Sequence, residues 1–148
     1  MLPFLISAVL VAAPPPHIVS PELRAESWVK DAIGLAKSKG IDATVAEVAN
    51  PKGKFRTDKP ELDPELTVYT VGLKVLAQNR PTHHVGMDHV KIQNSAGEPY
   101  LAKMLIFAKK SGPGWFEYRG HDSAHQERLF RAYVAIHGDH LIVAAIVK

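Results

Sequence analysis

From Ser20 onward the apolar positions follow a helical period. Val29, Ala32, Ile33 and Ala36 recur on one face of a helix, with Lys30, Asp31, Lys37 and Lys39 placed elsewhere. Ser20 before Pro21 marks the start, since the hydroxyl can accept an orphan backbone N–H and proline fits the first turn. Gly40 supplies the stop. Asp42 is then expected to cap a shorter helix through Val45 and Val48, closed by Asn50-Pro51-Lys52-Gly53. Beyond Phe55 the polar, proline-containing stretch from Arg56 to Glu65 reads as a surface loop.

The period then shortens to that of strands. Leu66 to Val71 is rich in β-branched and aromatic residues and bounded by Gly72, and Lys74 to Gln78 returns as its hairpin partner. Asn79 to Pro99 carries Pro, Gly and Asn-Ser-Ala-Gly turn chemistry and reads as a long connection over the sheet, the kind of segment that often holds a binding site. Leu101, Met104, Leu105 and Ala108 mark a helix that runs to Gly112-Pro113-Gly114. Three strands follow, Trp115 to Arg119, Phe130 to Ile136 and His140 to Val147, with His137-Gly138-Asp139 as a tight turn between the last two. Short hairpin connections predict an α+β fold, a five-stranded antiparallel sheet with helices packed on it.

Composition narrows the class. A chain of 148 residues with 46% hydrophobic content suits one domain. The apolar run Leu2–Ala13 falls short of the about 20 residues of a membrane-spanning helix. Its length and small-residue end fit a signal peptide over residues 1–13, although no Lys or Arg precedes it and Pro14-Pro15-Pro16 follows. Residues 14–19 form a stiff linker, and residues 20–148 the domain. The expected location is periplasmic or secreted. With no cysteine, thiolate catalysis, disulfides and Cys-built metal sites are excluded. The net charge of +3 is scattered among acids, which argues against nucleic-acid binding.

The motifs of the well-marked enzyme classes are absent: there is no GxxxxGK[ST], GxGxxG, GxSxG or HExxH. Histidine is the ambiguous residue. His83, His84 and His89 fall in the long connection, and His121 and His125 between two strands, so a histidine-built metal or haem site stands as the alternative reading. Trp115, Phe116, Tyr118 and Tyr133 are core aromatics or, together with Gln78, Arg119 and Arg131, the lining of a pocket. Arginine suits a carboxylate because its planar fork donates two parallel hydrogen bonds. Strand alternation puts Trp115, Glu117 and Arg119 on one face and Phe116 and Tyr118 on the other, without saying which face meets a ligand.

In combination, several stretches resemble the single Cache domain, the extracytoplasmic sensor of bacterial chemoreceptors and sensor kinases. They are Asn50-Pro51-Lys52-Gly53-Lys54-Phe55, Tyr69 through Ala77, Val85-Gly86, Asn94-Ser-Ala-Gly-Glu-Pro-Tyr100, Lys103-Met104, Ala108-Lys109-Lys110, Gly114-Trp115-Phe116-Glu117-Tyr118 and Gly138-Asp139-His140-Leu141-Ile142. The resemblance spans most of residues 22–148. It implies a PAS-like antiparallel sheet backed by a long N-terminal helix, with a small-molecule pocket beneath residues 79–110. By position it assigns Tyr69, Trp115, Tyr118 and Tyr133 to ligand contact. The chain departs from the pattern at Gln78, where a His is often found, in a first hairpin without Asp-x-x-Gly, and near Phe130-Arg131, where a Lys is expected and Arg131 substitutes for its charge.

The expected function is therefore non-enzymatic binding of a small polar metabolite, an organic acid among the candidates, by Tyr69, Gln78, Trp115, Tyr118, Arg131 and Tyr133, with no cofactor. No membrane span or signalling module follows Lys148, so the domain is expected to act as a monomer or weak homodimer that presents its ligand to a membrane receptor or sensor kinase.

Overall fold

Ser20 does cap the first helix: its Oγ accepts the Leu23 N–H at 3.2 Å, with Pro21 in the first turn. The computed structural model describes residues 19–57, 59, 62–122 and 124–148, so the expected signal peptide and most of the linker lie outside the described residues. The elements run α1 (Pro21–Lys39), α2 (Ile41–Ala49), β1 (Glu65–Thr70), β2 (Val75–Gln78), α3 (Tyr100–Ser111), β3 (Gly114–His121), β4 (Glu127–His137) and β5 (His140–Val147). One expectation fails at the second helix. Gly40, not Asp42, occupies the cap position and offers no side chain; its carbonyl accepts the Thr44 hydroxyl instead, at 3.0 Å.

All five strands join one antiparallel sheet in the order β2-β1-β5-β4-β3. Gly138, at φ +56°, makes the tight β4–β5 turn possible. The sheet is covered on both faces. α1 lies over β5 and β4 with α2 beside it, burying Ala25, Val29 and Ala32 against Val68, Ala135, Ile142 and Ala144. Small residues along this helix let its backbone approach the sheet closely, and Trp28 meets Phe55 edge-on at its flank. On the opposite face α3 inserts Leu101, Met104 and Ala108 against Ala132, Val134, Leu141 and Val143.

The two covers differ in kind. α1 is one continuous helix, whereas the other face is shared between α3 and the connection of residues 79–99. That connection is docked along the free edge of β2: Val75 donates to Met87 O, Gly86 to Val75 O and His89 to Leu73 O, each within 2.9 Å. Leu73 holds a left-handed backbone, φ +64°, with its side chain buried. A bulky residue there is strained by roughly 1–3 kcal/mol. The burial and the hydrogen bond from His89 offset that strain.

Candidate functional site

Strand alternation and the observed register decide which side chains meet each cover. Glu65, Thr67 and Tyr69 of β1 share a face with Gln78 of β2, Ala145 of β5, Ala132 and Phe130 of β4, and Phe116 and Tyr118 of β3. This is the face beneath α3 and the 79–99 connection. Trp115, Arg131 and Tyr133 point to the other side, toward α1. The six side chains assigned from sequence thus form two groups of three, Tyr69, Gln78 and Tyr118 under the connection and Trp115, Arg131 and Tyr133 on the helix side.

The first group is embedded in a polar cluster within an otherwise apolar layer. Gln78 Nε2 donates to Thr67 Oγ1 at 3.2 Å and to Glu65 Oε1 at 3.3 Å. Arg80 Nη1 lies 3.7 Å from Glu65 Oε2, and its Nη2 donates to Asp63 O at 2.6 Å. Tyr69 is fully enclosed, and burial pushes its phenol well up, reinforced by the charge of Glu65 and the neighbouring Tyr100. Tyr118 is raised in the same way by burial, then by Tyr69, Glu65 and Tyr100. Both phenols therefore stay neutral and serve as hydrogen-bonding groups. The charge of Glu65 bears on both phenols, and Tyr69 bears on Tyr118.

An aromatic stack holds Tyr118 in place. Its ring lies 5.3 Å from Tyr100 and 5.4 Å from Phe130, both at 15°. Gly120 permits this: a Cβ there would fall 2.9 Å from Tyr118 Cε2 and 3.3 Å from Tyr100 Cε2.

Three histidines form a second wall beside Tyr69. His83 stacks on His84 at 4.4 Å, His84 meets His89 edge-on at 5.3 Å, and His89 lies 6.1 Å from the Tyr69 ring. His89 is 6% exposed. Its imidazole is held below its usual value by burial and then by His84, with Asp88 opposing. Two buried ring nitrogens, His84 Nδ1 and His89 Nε2, have no hydrogen-bond partner. Among the described residues, no three His, Asp or Glu side chains are placed to hold a metal ion. His121 ends β3 and His125 occupies a turn at φ +60°, so the two do not share a helical face.

The far end of the connection is latched to the β3–β4 hairpin. Glu127 accepts the Ser95 N–H at 2.6 Å and its hydroxyl at 2.7 Å, and these bonds hold the Glu127 carboxyl below its usual range. Asn94 Nδ2 donates to Arg119 O at 3.1 Å, while Asn94 Oδ1 accepts the amides of Ala96 and Glu98.

On the α1 side the Arg131 guanidinium sits 4.8 Å over the Trp115 ring, which meets Tyr133 edge-on at 5.5 Å. Arg131 Nε lies 3.5 Å from Glu117 Oε1, an oxygen also held by Lys148 at 3.0 Å. This cluster is an ion-paired outer surface of β3 and β4. The helical layer also carries an open cleft of about 350 Å³ between α1 and α2, where Lys54 pairs with Asp31 at 3.0 Å.

Sequence reasoning missed Thr67 and Glu65, whose only signal was their spacing of two and four residues from Tyr69, and it did not link His84 and His89 to Tyr69.

No family model matches the chain, and no curated protein matches it. Solved structures do. A periplasmic sensor domain of a chemotaxis protein superposes with a TM-score of 0.62 at 11% identity, covering 83% of this chain and 87% of that one. A Cache chemosensory domain, described for its recognition of a carboxylic acid, gives 0.60 at 14% identity over 83% and 85% of the two chains. A methyl-accepting chemotaxis protein from Vibrio parahaemolyticus RIMD 2210633 gives 0.61 at 10% identity over 85% and 87%. By these superpositions, which cover most of the chain, it has the fold of a single Cache domain.

Proposed function

We propose that the chain is an extracytoplasmic sensory domain that binds a small polar metabolite, without transforming it, on the sheet face beneath α3 and residues 79–99. The observation that carries this reading is a set of polar side chains gathered on one face of an otherwise apolar layer: buried Thr67, Tyr69 and Gln78, with partly exposed Glu65 and Tyr118 beside them. Burying polar groups is costly unless they are partnered, and a core has no need of such a set. Tyr69, Gln78 and Tyr118 are the contact residues of this proposal, while Trp115, Arg131 and Tyr133 support the helix side. An organic acid is the first class to test, because a structure of the same fold recognises a carboxylic acid. Export through residues 1–13 and delivery of the occupied domain to a membrane receptor or sensor kinase complete the proposal.

The test is a thermal-shift screen of the purified full chain against small carboxylates, amino acids, purines and divalent metals. A ligand that binds only the folded state raises Tm saturably. An organic metabolite that does so, with the shift reduced in Gln78→Ala, supports the reading. A screen without any saturable shift, together with native mass spectrometry showing no retained small molecule, overturns it.

A further inference from the structure

If the covered face binds an organic acid, something there must balance the charge. Arg131 lies on the α1 side, 3.5 Å from Glu117, with its Nε also lacking a hydrogen-bond partner, and on this face Arg80 is engaged with Glu65 and the Asp63 carbonyl. On this face the carboxylate of Glu65 is itself negative. The groups beside Tyr69 that can acquire positive charge are the imidazoles of His84 and His89, and each has a buried ring nitrogen without a partner. An unsatisfied buried nitrogen is unfavourable by itself, and two in adjacent rings point to a missing polar partner, which is an acceptor wherever the nitrogen carries hydrogen.

We infer that His84 Nδ1 and His89 Nε2 are the acid-recognition groups of the pocket, and that a carboxylate ligand enters together with a proton. This rests on the pocket proposed above. A neutral imidazole has one N–H donor and an imidazolium has two, so an anion placed against the pair favours the charged ring. Without ligand, burial and the neighbouring His84 disfavour the charged form of His89, and Asp88 only partly opposes them. The other groups around the pair are Tyr69, a neutral phenol, His83, whose ring stacks on His84, and Lys74, whose backbone pairs with that of Asp88. Binding therefore converts a site that excludes charge into one that requires it.

The experiment is calorimetric titration of the full chain with acetate, propionate, pyruvate and lactate, and with acetamide, propionamide and lactamide, at pH 5.5, 6.5 and 7.5. These acids all have pKa values below about 5, so they stay mostly ionised over this range. The expected result is that at least one acid binds, that its amide binds at least about tenfold more weakly, and that affinity rises on acidification by up to about tenfold per pH unit for one proton taken up. The measured heat should also differ between phosphate and Tris in the sense of proton uptake. His89→Gln and, separately, the less buried His84→Gln should flatten the pH slope, and Arg131→Gln should leave it intact. A flat pH profile for a carboxylate that does bind, a slope surviving in both histidine variants, or stoichiometric zinc binding lost in them would overturn the inference. If only neutral compounds bind, the pocket reading survives and this one falls; if no compound of the wider metabolite screen binds, both fall. The wild-type pH slope needs no variant to fold.

Discussion

Asn79 shows how much a single side chain can settle. Its Nδ2 donates to Phe55 O at 3.0 Å and Pro64 O at 3.1 Å, and its Oδ1 accepts the Leu66 N–H at 2.9 Å. One buried amide thus joins the end of β2 to the chain entering β1 and to the loop behind α2. Asn79→Leu keeps the volume and removes every bond. With about 1–3 kcal/mol lost for each buried group left unsatisfied, the variant should be destabilised by roughly 3 kcal/mol or more in urea denaturation. His89 acts through charge. Its folded pKa lies below the unfolded value, so the unfolded chain takes up a proton that the folded chain resists. Its contribution is fully present above about pH 6.5 and is lost as pH falls below that value, with a slope of at most about 1.4 kcal/mol per pH unit. Ligand-free protein should therefore weaken between pH 7 and 5.5, and His89→Gln should lessen that dependence in paired denaturation curves.

At the scale of elements, the sequence was legible wherever a period ran long enough to repeat. α1, α3 and the β3–β4–β5 meander stand within a few residues of where apolar spacing and turn chemistry put them. The failed cap at Asp42 has a physical reason. Gly40 ends α1 and begins α2 at once, and its carbonyl is taken by Thr44, leaving no turn of free chain for Asp42 to cap. The 79–99 connection could be read as a cover but not as a docked one, because its attachment depends on contacts remote in sequence. Val75 and Leu73 hold one end, and Glu127, 32 residues away, holds Ser95. Ser95→Ala removes a single hydroxyl donor and leaves the backbone bond. Glu127→Gln weakens both bonds by removing the charge on the acceptor. Hydrogen exchange of residues 92–98 should accelerate modestly in the first and more strongly in the second, with α1 unchanged. Equal protection in both variants would show that Asn94 holds the segment alone.

At the scale of the whole molecule, the decisive feature is that both faces of the sheet are buried. Alternation in β3 correctly separates Trp115 and Glu117 from Phe116 and Tyr118, but with an apolar cover on each side the pattern gives no sign of which face is the receptive one. The asymmetry lies in the covers. A continuous helix packs on one face through Ala25, Val29 and Ala32, whereas a connection clipped at two ends lies over polar groups drawn from β1, β2 and β3 on the other. The two faces should then separate by mutation. Arg131→Ala removes a guanidinium stacked on Trp115 at a partly exposed site, so stability should fall by about 1 kcal/mol while the affinity of any bound metabolite is unchanged. Gln78→Ala removes the donor shared by Thr67 and Glu65 and should lower affinity on the order of tenfold, the equivalent of one charge-assisted hydrogen bond. Calorimetric affinity and urea midpoints measured on both variants give the comparison. A loss of affinity in Arg131→Ala equal to that in Gln78→Ala would place the ligand on the α1 side and reverse the assignment of the faces.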